Sequence, residues 1–204
     1  MESILPKIPR TLAATLLVTS GLLATAAGGI ARAAPPAPPT APNPGPGPAL
    51  PLPSDRYLAL REVAFSTHSE DVEVQAKPGV ERAYGVIVEF WQGDEIVTTV
   101  AFASGDSSLY FSKGGGMIGG RLEPLVSSAA GSLVADAQIQ LADVPLVKAY
   151  PTPDPGSVTV YVLTTAGLRG AQAPKSDIAA ADHRLNPLYA GAQRIVSEFH
   201  AAQS

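Results

Sequence analysis

Hydrophobic and polar positions along the chain fall into two rhythms. Tyr84 to Trp91 is nearly all apolar, β-branched or aromatic, the pattern of a strand buried on both faces. Gly93-Asp94 supplies a turn, Ile96 to Ala103 runs back as a second strand, and Gly105-Asp106 turns again into Ser108 to Phe111. Turns this short demand antiparallel neighbours, because parallel strands need a long crossover. After a loop at Pro151 to Gly156, Val158 to Thr164 reads as a fourth strand. The other rhythm is helical. Ser54 and Asp55 can cap a short helix over Tyr57 to Phe65, with Leu58, Arg61 and Phe65 on one side. Leu122, Leu125, Val126, Ala129 and Leu133 recur at helical spacing, with Glu123 and Pro124 suited to a first turn, while Gly131 weakens that helix. A last helix starts with Asn186 as cap and Pro187 at its first position, and Leu188, Ala192, Ile195, Val196 and Phe199 form its buried stripe. His68 to Gly79 is a polar, acidic loop. The prediction is an α+β fold: an antiparallel meander of three strands plus a fourth strand, covered on one face by two main helices.

The first quarter of the chain follows neither rhythm. Met1 to Arg10 carries Lys7 and Arg10, Thr11 to Ile30 is an uncharged run of 20 residues, and Ala31-Arg32-Ala33 offers the small-x-small pattern that a signal peptidase cleaves. A basic start, an apolar middle and small residues at the end make a secretory signal; left uncleaved, the run is long enough to act as an N-terminal membrane anchor. Residues 1–33 are therefore expected to export the chain. Residues 34–53 hold ten of its 20 prolines and no charge. Proline fixes φ and removes a donor, so this stretch favours polyproline II and reads as a stalk. Residues 54–204 are expected to form one α+β globular domain.

Composition narrows the chemistry. The chain has no cysteine, so disulfides, thiolate metal sites and a cysteine nucleophile are excluded. Removing Lys7, Arg10, Arg32 and Glu2 with the signal leaves 11 basic and 17 acidic residues, a net charge of −6. An acidic chain without a basic run is a poor ligand for nucleic acid or anionic lipid, so membrane contact is expected only through an uncleaved N-terminal segment.

One segment stands out from the helix and strand rhythms. Ser107 to Lys113 feeds Gly114-Gly115-Gly116-Met117-Ile118-Gly119-Gly120-Arg121. Glycine admits positive φ and the close approach of another backbone or a ligand. Between a strand and a helix start, the amides of Gly119, Gly120 and Arg121 can hold an anion, helped by Lys113 and Arg121. No Gly-Lys-Ser/Thr ends the run, so it is not a P-loop. Lys113, Gly114, Gly115, Gly116, Gly119, Gly120 and Arg121 are the candidate ligand or partner residues. The alternative is scaffolding, in which the glycines pack the helix onto the sheet. Ser-Leu-Tyr-Phe-Ser-Lys-Gly-Gly-Gly-Met-Ile-Gly-Gly at 108–120 resembles the signature of an uncharacterised bacterial α+β domain family, as do the Val158–Thr165 strand and the Asn186-Pro187-Leu188-Tyr189 helix start. The resemblance implies an architecture without a known activity, and no functional residue is carried over from it.

Other chemistries fit less well. His68, His183 and His200 are scattered and form no metal-ligand spacing, so no metal and no cofactor is expected. Ser104, Ser107 or Ser108 with His183 would make a serine hydrolase, but no Gly-x-Ser-x-Gly elbow is present. Glu89 and Glu95 are expected to be solvated or salt-bridged, and Trp91 to pack at a strand end. The sequence thus predicts an exported, non-catalytic interaction module that binds an envelope protein or itself. An envelope hydrolase with a Ser/His pair is the alternative.

Overall fold

β1 (Ala83–Gln92) decides the architecture, because eight consecutive residues from Ala83 to Phe90 are buried and both its faces need covering. The computed structural model describes residues 50–203 apart from Ala76. The expected signal or anchor over 1–33 and most of the proline-rich stretch lie outside these residues. The α+β class holds, but the sheet is larger than expected. It has six strands in the order β4-β3-β2-β1-β5-β6, every neighbouring pair antiparallel. β2 (Glu95–Phe102) and β3 (Ser107–Phe111) form the expected meander. β4 (Gly116–Ile118), a strand not expected from the sequence, extends it through the glycine run. β5 (Ser157–Thr164) lies on the other side of β1, and the unexpected β6 (Gly167–Pro174) pairs with it over its whole length. β6 is poor in β-branched residues; it is held by its ladder to β5 and not by propensity.

Both faces of the sheet are covered, not one. α2 (Pro124–Ile139) and α4 (Asn186–Ala201) lie together on the first face, α4 entered through the single turn α3 (Lys175–Ile178). Val126, Ala129, Leu133 and Ala137 of α2 and Leu188, Ala192 and Ile195 of α4 bury against Val86, Val88, Phe90, Val97, Leu109 and Val160. The two helices approach closely because their contact is built from small residues; a Cβ on Gly191 would stand 2.9 Å from Leu133 Cδ1. Asn186 is the first residue of α4 and not its cap, and its side-chain amide donates instead to the Ile178 carbonyl at 3.0 Å.

The second face is closed by α1 (Asp55–Ser66) and by the segment that precedes β5. Ser54 caps α1, its hydroxyl accepting from the Tyr57 amide at 3.3 Å. The buried side of α1 is Tyr57, Arg61 and Ala64; of the expected Leu58, Arg61 and Phe65, only the charged Arg61 is fully buried, while Phe65 is half-buried and Leu58 exposed. That charge meets Glu89, at the middle of β1 and fully buried. Arg61 Nε donates to Oε1 at 2.7 Å and Nη2 to Oε2 at 2.8 Å, a bidentate pair. Nη2 also reaches the carbonyls of Tyr150 (2.6 Å) and Pro151 (3.1 Å). Thr98, opposite Glu89 on β2, donates to Oε1 at 3.0 Å and shares a 2.8 Å hydrogen bond with the Tyr57 hydroxyl. Phe65 and Tyr150 stack 4.1 Å apart, with the guanidinium 4.7 Å from the Phe65 ring centre. Trp91 packs at its strand end as expected, its indole donating to Pro153 O at 2.9 Å.

Removing one partner of a buried ion pair leaves an uncompensated charge, at a cost of about 3–5 kcal/mol, whereas replacing both by apolar residues is often neutral. Arg61→Met should therefore lower unfolding stability in chemical denaturation by about that amount. Arg61→Met with Glu89→Leu should recover most of it, since Tyr57 and Thr98 keep their mutual hydrogen bond. Gly131 sits inside α2 with nothing within 4 Å of an added Cβ. Gly131→Ala should raise stability by about 0.5–1 kcal/mol, measured the same way.

Candidate functional site

The chain leaves β3 through a tight turn in which the Gly114 amide donates to the Phe111 carbonyl at 2.9 Å. It returns as β4, with Gly116 opposite Tyr110 and Ile118 opposite Ser108. A 3-10 turn at Gly120–Leu122 then leads directly into α2. The 108–120 segment is thus an edge hairpin joined to a helix start.

Its glycines divide by what they do. Gly115 (φ 89°) and Gly119 (φ 94°) have left-handed backbones and empty space where a Cβ would go. They set the path of the chain. Gly116 and Gly120 allow close approach: a Cβ on Gly116 would stand 2.3 Å from the Leu109 carbonyl oxygen, and one on Gly120 2.6 Å from Val126 and 2.9 Å from Phe199. The two cations are not brought together. Lys113 pairs with Asp94 at the β1–β2 turn, and Arg121 pairs with Asp106 at the β2–β3 turn, 3.4 Å away, so they stand at opposite ends of β3.

What the segment does gather is exposed apolar side chains. Ile118, Leu122 and Leu125 are 69%, 86% and 63% exposed. Ile118 and Leu122 line a shallow cleft of about 450 Å³ floored by Phe199, and Leu125 lines an adjoining one of about 250 Å³ beside Glu198 of α4. Glu123 and Ala202 line both clefts, so the two form one continuous ledge. Spacing had placed Leu122 and Leu125 on the buried stripe of the helix. Instead α2 begins at Pro124, and both residues lie where β4, three residues long, offers little sheet to cover them.

The densest polar cluster, around Glu89, is already occupied by its own fold. Both carboxylate oxygens accept hydrogen bonds from Arg61. Burial, with the Glu89 charge adding to it, pushes the Tyr57 hydroxyl well above the ordinary tyrosine range, and Tyr161 is raised to about 12 for the same reasons. The serines of the hydrolase alternative have other surroundings. Ser104 Oγ donates to Asp106 at 2.6 Å, Ser107 Oγ is buried without a hydrogen-bond partner among the described residues, and His183 Nδ1 accepts from the Leu185 amide at 3.2 Å. Among the described residues no group of His, Asp or Glu is arranged to hold a metal ion, and no helix is long and apolar enough to cross a membrane. Compared with family models, curated proteins and solved structures, the chain finds no match.

The split among the glycines is measurable. Gly116→Ala and Gly120→Ala must displace backbone or packed side chains, whereas Gly119→Ala carries only the left-handed backbone penalty of about 1–2 kcal/mol. Thermal melts should rank Gly116→Ala and Gly120→Ala below Gly119→Ala.

Proposed function

We propose that this chain is an exported, non-catalytic interaction module, carried on a proline-rich stalk and engaging a partner in the cell envelope through the Ile118–Leu125 ledge. The observation that carries this reading is that two clefts sharing Glu123 and Ala202 are lined by three large, exposed apolar side chains. Single exposed hydrophobics such as Val63 and Val80 are ordinary. A contiguous patch at a sheet edge marks an interaction site far more often.

Two features support display on a stalk. The amide of Ser54 donates to the Ser112 carbonyl at 2.7 Å, so the chain from the proline-rich stretch enters beside the β3–β4 turn. Ile118 pairs with Ser108 at the other end of β3. The entry point at Ser54 and the ledge therefore lie at opposite ends of that hairpin. The 19 residues from Pro35 to Pro53, extended at about 3.1 Å each, reach at most ~60 Å. Export itself rests on the basic, apolar and small-residue parts of residues 1–33.

A photo-crosslinking amino acid placed at Leu122 should give a discrete adduct in the envelope fraction, while the same group at exposed Val63 gives none. Equal labelling from both positions, or none from Leu122, overturns the ledge as the interaction surface. The recovered chain should also lie outside the cytoplasm. Recovery in the cytosol with Met1 intact overturns export.

A further inference from the structure

We infer that the ledge receives an apolar segment bearing a basic side chain, supplied by a different polypeptide and not by a second copy of this chain. The inference rests on the reading of the ledge as an interaction surface and adds the chemistry of what sits there.

The charges around the ledge carry the argument. Glu123 stands on the wall common to both clefts, is exposed, and has no side-chain hydrogen bond or ion pair among the described residues. Glu198 lines the second cleft, and its partner is Arg194, one turn back on the same helix at 3.7 Å with a side chain 56% exposed. Such loose i,i+4 pairs contribute only a few tenths of a kcal/mol, so an incoming cation can compete for Glu198. The nearest cation of the edge segment, Arg121, is already held by Asp106. The ledge therefore offers leucine and isoleucine side chains beside one unpaired and one weakly paired carboxylate. An apolar segment with a lysine or arginine complements both properties.

The same charges disfavour self-association. A two-fold contact sets a surface against its own copy. Glu123 and Glu198 would then face the identical acidic rim, on a domain that carries 17 acidic against 11 basic residues. Like charges set against each other across an interface reject a partner.

Two dye-labelled hexapeptides test this by fluorescence anisotropy with the full chain at low salt. One combines leucine with lysine, the other leucine with glutamate. The leucine–lysine peptide should bind saturably, with the leucine–glutamate peptide at least about fivefold weaker, the scale of an exposed ion pair of up to ~1 kcal/mol. Glu123→Lys should invert that order, and Leu122→Asp should abolish binding of both. Both side chains are exposed, so Leu122→Asp should melt with the parent, and Glu123→Lys, which sets a cation at the start of α2, only slightly below it. Equal binding of the two peptides, abolished by Leu122→Asp, overturns the charge inference while leaving the ledge as an interaction surface. No saturable binding of the lysine peptide, or binding indifferent to Leu122→Asp, overturns the inference on its own terms; the crosslink at position 122 then judges the surface separately. A dimer in sedimentation that Leu122→Asp dissolves assigns the ledge to a second copy and also overturns it.

Discussion

A carboxylate at the middle of the central strand governs the second half of this structure. Glu89 lies on β1 with Thr98 on one side and Thr159 on the other, and no solvent reaches it. An isolated buried charge is prohibitive, so the fold has to bring a cation to it. Arg61 supplies that cation, and Arg61 has to be carried in on something. α1 is that carrier. The guanidinium in turn takes the carbonyls of Tyr150 and Pro151, which draws the strand-leading segment across the same face. One charge thus explains why a weakly amphipathic helix and an irregular segment close a face that paired helices cover on the other side. The pair is weak as a source of stability, given its desolvation, and strong as a specifier of position.

A second bidentate pair repeats the device nearer the surface. Arg169 on β6 binds Glu81 through Nε at 2.6 Å and Nη2 at 2.7 Å, while its Nη1 donates to the carbonyls of Leu141 and Val144. The guanidinium therefore ties the end of α2 and the following turn to the edge of the sheet. Hydrogen bonding to Arg169 also holds the Glu81 carboxyl below the usual carboxylate range. In both places an arginine satisfies a glutamate and two backbone carbonyls of a segment that has no ladder of its own to join. The planar, multi-donor guanidinium suits that task better than an ammonium.

Much of this was legible in the chain, and the parts that were not share a cause. β1, β2, β3 and β5 follow from runs of β-branched and aromatic residues, and α2 and α4 from spacing. β6 escaped because Gly167 to Pro174 has glycine, alanine and proline where a strand pattern would show valine, and its order comes from its neighbour. α1 was found with Arg61 on its expected side, but Leu58 turns to solvent and Tyr57 and Ala64 complete the buried side instead. The sheet beneath offers Arg61 and Tyr57 a carboxylate and a hydroxyl and offers Leu58 no apolar pocket. At the candidate site, the glycine run was visible as a break in composition. The ledge was not, since spacing cannot distinguish a leucine turned to the core from one turned to water. Only the length of β4 and the start of α2 at Pro124 separate Leu122 and Leu125 from Val126.

The two edges of the sheet differ in a way that bears on function. An unpaired edge is a template for another chain, and soluble proteins usually blunt it. The β6 edge is blunted: the Val147 amide donates to the Leu168 carbonyl and the Gly170 amide to Pro145, each at 2.9 Å, so the segment before β5 runs along it. Among the described residues no segment pairs with the outer side of β4. Its protection is brevity, three residues beside a left-handed glycine. A short edge resists continuous strand addition, yet it also ends the sheet early and leaves Ile118, Leu122 and Leu125 largely exposed on the walls of shallow clefts. The device that prevents promiscuous pairing is thus the one that creates an apolar ledge, and the carboxylates of Glu123 and Glu198 on its rim give that ledge a charge preference that a bare hydrophobic edge would lack.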